Sequence, residues 1–131
     1  MLAAAYVGLT GPAGALAPVP SGGDEIRALH AAGRSGVVVE VSGEVRKTLS
    51  DDRKGSRHQR FILDVGEGAT VLVSHNIDLA PRIDALRSGD RVDLRGQYEW
   101  NDEGGVIHWT HHDPSGRRPG GWVEHEGRIY R

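Results

Sequence analysis

The sequence predicts a mainly β protein, a five-stranded OB-type barrel with a short helix between strands three and four and a short N-terminal helix. Two observations predict it. Apolar and polar residues alternate in five separate segments, and 19 glycines among 131 residues supply the turns between them. Three strands, a helix and two more strands is the OB order. A five-stranded immunoglobulin-like fragment is the rival, but it leaves the second helix unexplained.

The two helices are predicted from apolar spacing and end signals. The first is expected at residues 24–32, before a glycine that ends it. The second is expected at residues 79–87, with Asp78 as its cap and with Ile83 and Leu86 facing the core.

The strands follow from a period of two in the apolar residues, and Gly43 predicts a bend or bulge in the first of them. A four-residue turn between the last two strands would place Tyr98 opposite Trp109 and Glu99 opposite His108. A further hairpin is expected near residues 122–130. The predicted strands are residues 36–45, 58–65, 70–77, 91–100 and 106–112, and the aromatic residues expected in the core are Phe61, Tyr98, Trp100 and Trp109.

Composition excludes several classes of function. The formal charge is −2 and the pI is about 6.4, so the whole protein has no basic field to attract nucleic acid. Polyanion binding would need a local patch. The absence of cysteine excludes disulfides, thiolate catalysis and the common structural zinc sites.

Residues 1–20 differ from the rest of the chain. The stretch is apolar and uncharged, and it contains Ala15-Leu16-Ala17, a small-x-small pattern typical of signal peptidase sites. We therefore expect a signal-like or disordered segment, a periplasmic or secreted protein, and one OB-like domain at residues 21–131. The segment is too short and interrupted to span a membrane. A flexible tail is the alternative.

Three motifs resemble an uncharacterised family of small bacterial proteins. They are RHQRF at residues 57–61, HNIDLAPR at residues 75–82 and HWTH at residues 108–111. The resemblance covers roughly residues 36–130. It implies a bacterial, exported, OB-like member of a family known by its HWTH signature and classed as a domain of unknown function, and it supplies no activity.

Histidines are the candidate catalytic residues. The predicted register places Glu99 beside His108, a pairing that suits general acid–base chemistry or the support of a metal ligand. A plain cross-strand hydrogen bond is the alternative. His112 follows on the same face, and His75 is expected inside the barrel, either as a satisfied core residue or as part of the site. The predicted catalytic residues are His75, Glu99, His108 and His112, and the predicted ligands for zinc, manganese or nickel are His108, His112 and Asp113.

A basic loop, residues 46–60, joins strands one and two and carries six Lys or Arg residues against two Asp residues. OB folds bind oligonucleotides at this loop, so we expect an anionic ligand, with nucleic acid a candidate. A solvated turn is the alternative. The predicted ligand-binding residues are Lys54, Arg57, His58, Arg60 and Asn76.

These residues support two main functions. The first is an exported, metal-assisted phosphodiesterase or nuclease that uses the histidine and acid cluster. The alternative is a non-catalytic binding module for an oligonucleotide or another polyanion, with a metal carrier as a third candidate. Against a single-strand binder, the predicted core leaves only Trp122 and Tyr130 for base stacking. The sequence does not predict the oligomeric state.

Overall fold

A computed structural model describes residues 19–131, and most of the predicted signal-like segment lies outside them. This part of the chain forms one helix and seven strands. No helix in it is long and apolar enough to cross a membrane. The elements are α1 (Gly23–Ala31), β1 (Val37–Thr48), β2 (His58–Gly66), β3 (Ala69–Asn76), β4 (Arg91–Glu99), β5 (Val106–His108), β6 (Trp122–His125) and β7 (Arg128–Tyr130).

The first five strands close into a barrel in the order β1-β2-β3-β5-β4, with β4 pairing back to β1. The β3–β5 pair is parallel, and the other neighbours are antiparallel. This is the strand order of an OB barrel. The predicted mainly β, five-stranded OB-type barrel is confirmed, and the immunoglobulin-like rival is excluded.

The period of two that predicted the strands also determines which side chains fill the barrel. Every second residue of β2, β3 and β4 is buried, and the residues between them face outward. Helix α1, predicted one residue later along the chain, packs on the barrel through Ile26 and Leu29. The hydrophobic strand residues with no exposed surface are Val41, Phe61, Leu63, Val65, Val73, Leu94, Tyr98, Ile107 and Val123.

Strand β1 curls because it pairs with two different strands, β4 and β2. Its first part pairs with β4 and its last part with β2, and the change occurs at Glu44. Gly43 lies just before the change, where a Cβ atom would overlap the carbonyl oxygen of Asp64. The irregular register lies slightly further on, between Val45 and Lys47. Gly43 therefore allows a close approach of two backbones at the predicted bend.

The predicted helix at residues 79–87 does not form, although its apolar residues Ile83 and Leu86 are buried as expected. The segment is a series of turns. The buried amide of Gln59 donates to the carbonyl oxygen of Ile83 and accepts from its N–H, at 2.9 and 2.8 Å. Because this side chain satisfies the backbone, the segment can be buried without helical hydrogen bonds.

The fifth strand is shorter than predicted, and its register differs by two residues. Tyr98 lies opposite Ile107 rather than Trp109. Trp109 ends the strand in the left-handed region at φ 57°. Consequently Trp100 and Trp109, both predicted in the core, are 43% and 37% exposed. The hairpin β6–β7 lies near its predicted position, and β6 pairs with the part of β4 that β5 leaves free.

Candidate functional site

A groove of about 320 Å³ lies beside the point where β5 ends. Its floor is the outer surface of β1 and β4, and its wall is the end of the segment that leads from β5 into β6. The volume is at the lower end of the range for small-ligand sites. We call it the Trp109 groove, and its lining comprises Gly36, Val38, Arg95, Gly96, Gln97, Trp109 and residues 118–121.

The left-handed backbone of Trp109 turns its ring out of the barrel. A large side chain rarely adopts this conformation, which is found where the surrounding structure enforces it. Gly121 passes so close that a Cβ atom there would overlap the carbonyl oxygen of Trp109, and its N–H donates to the carbonyl of His111 at 2.7 Å. The returning chain thus fixes the exposed ring.

The guanidinium of Arg118 lies 3.9 Å from the centre of the Trp109 ring, at a cation–π distance. The segment that carries it is ordered by Asp113. This carboxylate accepts the hydroxyl of Ser115 at 2.9 Å and the N–H groups of Arg117 and Arg118 at 2.9 and 2.8 Å. Hydrogen bonds from Ser115, then from the other backbone N–H groups, lower the pKa of Asp113. Asp113 therefore positions Arg118.

Glu99 joins the groove to His108. One of its carboxylate oxygens accepts from Gln97 Nε2 at 2.7 Å and from His108 Nε2 at 3.0 Å. The two hydrogen bonds, that of Gln97 first, lower the pKa of Glu99. The Glu99–His108 contact expected from the sequence is therefore present, although the register differs: His108 lies directly opposite Gln97 and diagonal to Glu99.

The predicted metal ligands His108, His112 and Asp113 are not brought together. His112 is exposed beyond the end of β5, and the Asp113 carboxylate is occupied by its own loop. Within residues 19–131, one group of three side chains has ligand atoms within 4.8 Å of one another, namely Asp90, His125 and Glu126. Its His125 is buried, and His125 Nε2 lies 2.8 Å from Asp90. These are the residues with the spacing to hold a cation.

His75 lies inside the barrel and away from the groove. Its Nδ1 is 2.7 Å from the hydroxyl of Thr110, and its Nε2 is 3.0 Å from the carbonyl oxygen of Pro81. The nearby His111 directs Nδ1 at the carbonyl oxygen of His112, 2.6 Å away, and its buried Nε2 has no partner in the described part of the chain. His75 is buried inside the barrel, whereas His108 faces outward from β5, so the two histidines do not share a site.

Most of the predicted ligand-binding residues at the basic loop have structural partners. Arg57 binds Asp78 at 2.8 Å, and Arg60 donates to the carbonyl of Ser50 at 2.9 Å. The remaining partners are carbonyl and N–H groups of neighbouring turns: His58 Nδ1 lies 2.9 Å from the carbonyl of Ser56, and Asn76 accepts the N–H of Asp78 and Leu79. Asp78, predicted as a helix cap, is instead an acceptor for Arg57, whose hydrogen bonds lower the pKa of Asp78.

Three exposed cations of the basic loop remain available. The side chains of Lys47, Arg53 and Lys54 form no ion pair within residues 19–131. The outward residues of β2, β3 and β5 connect this region to the groove. Arg60 lies beside Ser74, and the β3–β5 register, continued by one residue, places Ser74 beside His108. With neighbouring strands about 4.8 Å apart, His108 is about 10 Å from Arg60 along the surface.

The family of the chain is shown by comparison with known proteins. The sequence matches the family described as "Protein of unknown function (DUF3465)" over residues 13–131. The chain belongs to this family. The family of unknown function and the OB-like build implied by the sequence are thus shown, whereas the HWTH signature stays a prediction. Among curated proteins, none matches the sequence significantly.

Two solved structures are similar to this DUF3465 protein. One is the solution NMR structure of the replication factor A related protein from Methanobacterium thermoautotrophicum, with a TM-score of 0.49 and 20% identity over 70% of this chain and 83% of that chain. The other is the crystal structure of the S. pombe Stn1–Ten1 complex, with a TM-score of 0.43 and 15% identity over 54% of this chain and 52% of that chain.

The sequence did not identify the main groove residues of this DUF3465 protein. Trp109 lies within the HWTH motif, but strict alternation placed it in the core. Arg118 lies in a tail with no clear periodicity, and its position depends on the turn around Asp113. The paired Gly120 and Gly121 were the available signal, because adjacent glycines often mark a close approach of backbone.

Proposed function

We propose that this DUF3465 protein is a non-catalytic OB-fold module that binds single-stranded nucleic acid. The observation that carries the proposal is the exposed Trp109 ring with the Arg118 guanidinium over one of its faces, at the edge of a groove on the outer surface of the barrel. An aromatic ring together with a cation suits a base and its phosphate, and OB folds bind oligonucleotides on their outer strands.

Stacking on Trp109 would supply the sequence-independent part of the affinity. Each base stacked on an aromatic ring contributes about 1–3 kcal/mol in proteins that bind single strands. The ring is 37% exposed and held by its own backbone, so little conformational freedom is lost when a base stacks on it. This supports the binding module, since the sequence-based argument against it was a lack of exposed aromatic rings.

Cations at both ends of the outer surface would hold the phosphates. Arg118 lines the groove together with Arg95, which lies 3.8 Å from the Glu40 carboxylate, and Arg53 and Lys54 are exposed in the basic loop. A flexible strand can follow the outward residues between them. Because the protein as a whole carries a charge of −2, these local cations would supply the attraction.

The arrangement of the histidines supports binding in preference to hydrolysis. Both nitrogens of His75 have hydrogen-bond partners inside the barrel. The predicted metal ligands are dispersed, and Asp113 is used to order its own loop. His108 and Gln97 both donate hydrogen bonds to the same carboxylate oxygen of Glu99. Export stays a prediction from residues 1–20.

The proposal is tested by fluorescence anisotropy with labelled 15-nucleotide DNA and RNA strands of mixed sequence. We expect the wild-type protein to bind without cutting the strands, with or without a chelator. Trp109→Ala should weaken binding by about 5- to 150-fold, the loss of one stacked base. The matched control is Trp100→Ala, since Trp100 is 43% exposed but stacks on His30 at 5.8 Å and does not line the groove.

Three results would contradict the proposal. The first is equal losses in the two tryptophan variants. The second is strand cleavage that is lost when His108 is replaced by Ala. The third is binding of inorganic polyphosphate, which has charge but no bases, as tightly as an oligonucleotide.

A further inference from the structure

The orientation of Gln97 is fixed on the floor of the Trp109 groove. Its side chain faces outward from β4, and its amide is 2.7 Å from the Glu99 carboxylate. A carboxylate at neutral pH only accepts hydrogen bonds, so the amide nitrogen must be the atom that faces Glu99. The amide oxygen, Oε1, is then directed away from Glu99.

Glu99 is held in turn by His108. The same carboxylate oxygen accepts from His108 Nε2 at 3.0 Å. If the Gln97 amide turned over, its oxygen would lie against an ionised oxygen and a hydrogen bond would be replaced by a repulsive contact. The network of Glu99 and His108 thus keeps Gln97 in one orientation.

Gln97 Oε1 is an available acceptor. Within residues 19–131, no N–H or O–H group donates a hydrogen bond to it, and the side chain is only partly buried. Its cross-strand neighbour on β1 is Val38, which is apolar and has no side-chain donor to offer it. A group that enters the groove therefore meets one fixed acceptor near an aromatic ring.

We infer that Gln97 is a specificity-determining residue that makes the groove prefer bases with an amino group at purine position 6 or pyrimidine position 4, adenine and cytosine, over bases with a keto oxygen there, guanine, thymine and uracil. The inference rests on the proposed function. Adenine N6 and cytosine N4 are donors, whereas the corresponding positions of guanine, thymine and uracil carry an acceptor oxygen. The amino group can donate to Gln97 Oε1, while a keto oxygen would meet it as a second acceptor.

Glu99 acts through Gln97 in this scheme. It is a positioning residue and does not contact the base. Removal of its carboxylate would let the amide turn over and present its N–H₂ group to the groove. Keto bases would then bind better and amino bases worse. A merely structural role for Glu99 would weaken all bases alike.

The test compares pairs of oligonucleotides whose bases carry either an amino group or a keto oxygen at purine position 6 or pyrimidine position 4. We use 15-mers of deoxycytidine against deoxyuridine, and of deoxyadenosine against deoxyinosine, at pH 7.5. The wild-type protein should bind the amino member of each pair about fivefold more tightly, the contribution of one hydrogen bond. Gln97→Leu should bring both ratios close to one, and Glu99→Ala should lower or reverse them. Trp109→Ala should weaken all four strands and leave the ratios unchanged.

The outcomes separate this inference from the proposed function. If the wild-type protein binds none of the strands, the proposed function fails. If it binds all four and Trp109→Ala weakens them, but the ratios are near one or persist in Gln97→Leu, only the role of Gln97 is overturned. Circular dichroism melts of each variant at the same pH identify any loss that comes from unfolding.

Discussion

His75 lies inside the barrel with both ring nitrogens hydrogen-bonded. The carbonyl oxygen of Pro81 can only accept, so Nε2 carries the proton and Nδ1 accepts from the hydroxyl of Thr110. Burial lowers the pKa of His75, the largest effect, while the contact with the Pro81 carbonyl acts in the opposite direction. The uncharged ring therefore joins β3 by hydrogen bonds to the turns after it and to the segment that follows β5.

The lowered pKa predicts the pH dependence of stability. The unfolded chain binds a proton at His75 near the usual pKa of about 6.5, whereas the folded chain binds it only at lower pH. Below this pH the unfolded state carries more protons, so the free energy of unfolding decreases as the pH falls. One such group changes it by at most about 1.4 kcal/mol per pH unit.

The measurement is urea unfolding between pH 7.5 and 5.0. His75→Gln should lower the free energy of unfolding by about 1–3 kcal/mol at pH 7.5, through its buried partners, and should flatten the profile below pH 6.5. His112→Gln, at an exposed histidine, should leave the wild-type profile unchanged. An equally steep profile in His75→Gln would show that other groups cause the acid sensitivity.

The Glu99–His108 pair and Trp109 show which features of the site could be predicted from the sequence and which could not. The pairing of Glu99 with His108 was predictable, because both residues lie on outward positions of adjacent strands and their side chains meet even when the register moves by two. The exposure of Trp109 was not predictable, because alternation assumes an extended backbone. Its φ of 57° depends on contact with Gly121, twelve residues later.

At the scale of elements, strands were more predictable than the segment between β3 and β4. A strand of this barrel shows the period of two because one face is buried and the other is wet. In residues 77–90 the spacing of Ala80, Ile83 and Leu86 indicates that these side chains are buried, but it does not indicate the backbone conformation. A helix and a series of turns can both bury such residues. The turns are stabilised here by Gln59 on β2, whose amide hydrogen-bonds the backbone of Ile83.

Strand β1 provides the prediction at this scale. At Gly43 the backbones of β1 and β2 approach closely, and a Cβ atom there would overlap the carbonyl oxygen of Asp64. Gly43→Ala must therefore move backbone, and we expect it to lower the free energy of unfolding by about 1–3 kcal/mol. Glu44→Ala, at the exposed neighbour, should change it by no more than about 0.5 kcal/mol. Urea unfolding followed by tryptophan fluorescence measures both, and equal effects would contradict the close approach.

At the scale of the whole molecule, the net charge does not indicate where an anionic ligand would bind. The total of −2 gives no attraction for a polyanion at long range. Several of the cations near the basic loop are neutralised by carboxylates, as in the pairs Arg46–Asp64 and Arg57–Asp78. The sequence could count these charges but not pair them, because each pair joins residues from different elements. In the described part of the chain, Lys47, Arg53 and Lys54 are the exposed cations of the basic loop that form no ion pair.

The salt dependence of binding tests this distribution. Each phosphate contact to a single strand contributes about 0.7 to the slope of log affinity against log salt concentration. Arg53→Gln with Lys54→Gln should therefore reduce the slope by about 1.4. The double variant Arg34→Gln with Arg131→Gln removes the same charge at exposed sites that do not line the groove, so it should leave the slope unchanged. Anisotropy titrations between 50 and about 300 mM salt give the slopes. If both double variants reduce the slope equally, the effect comes from net charge, and the basic loop does not contact the strand.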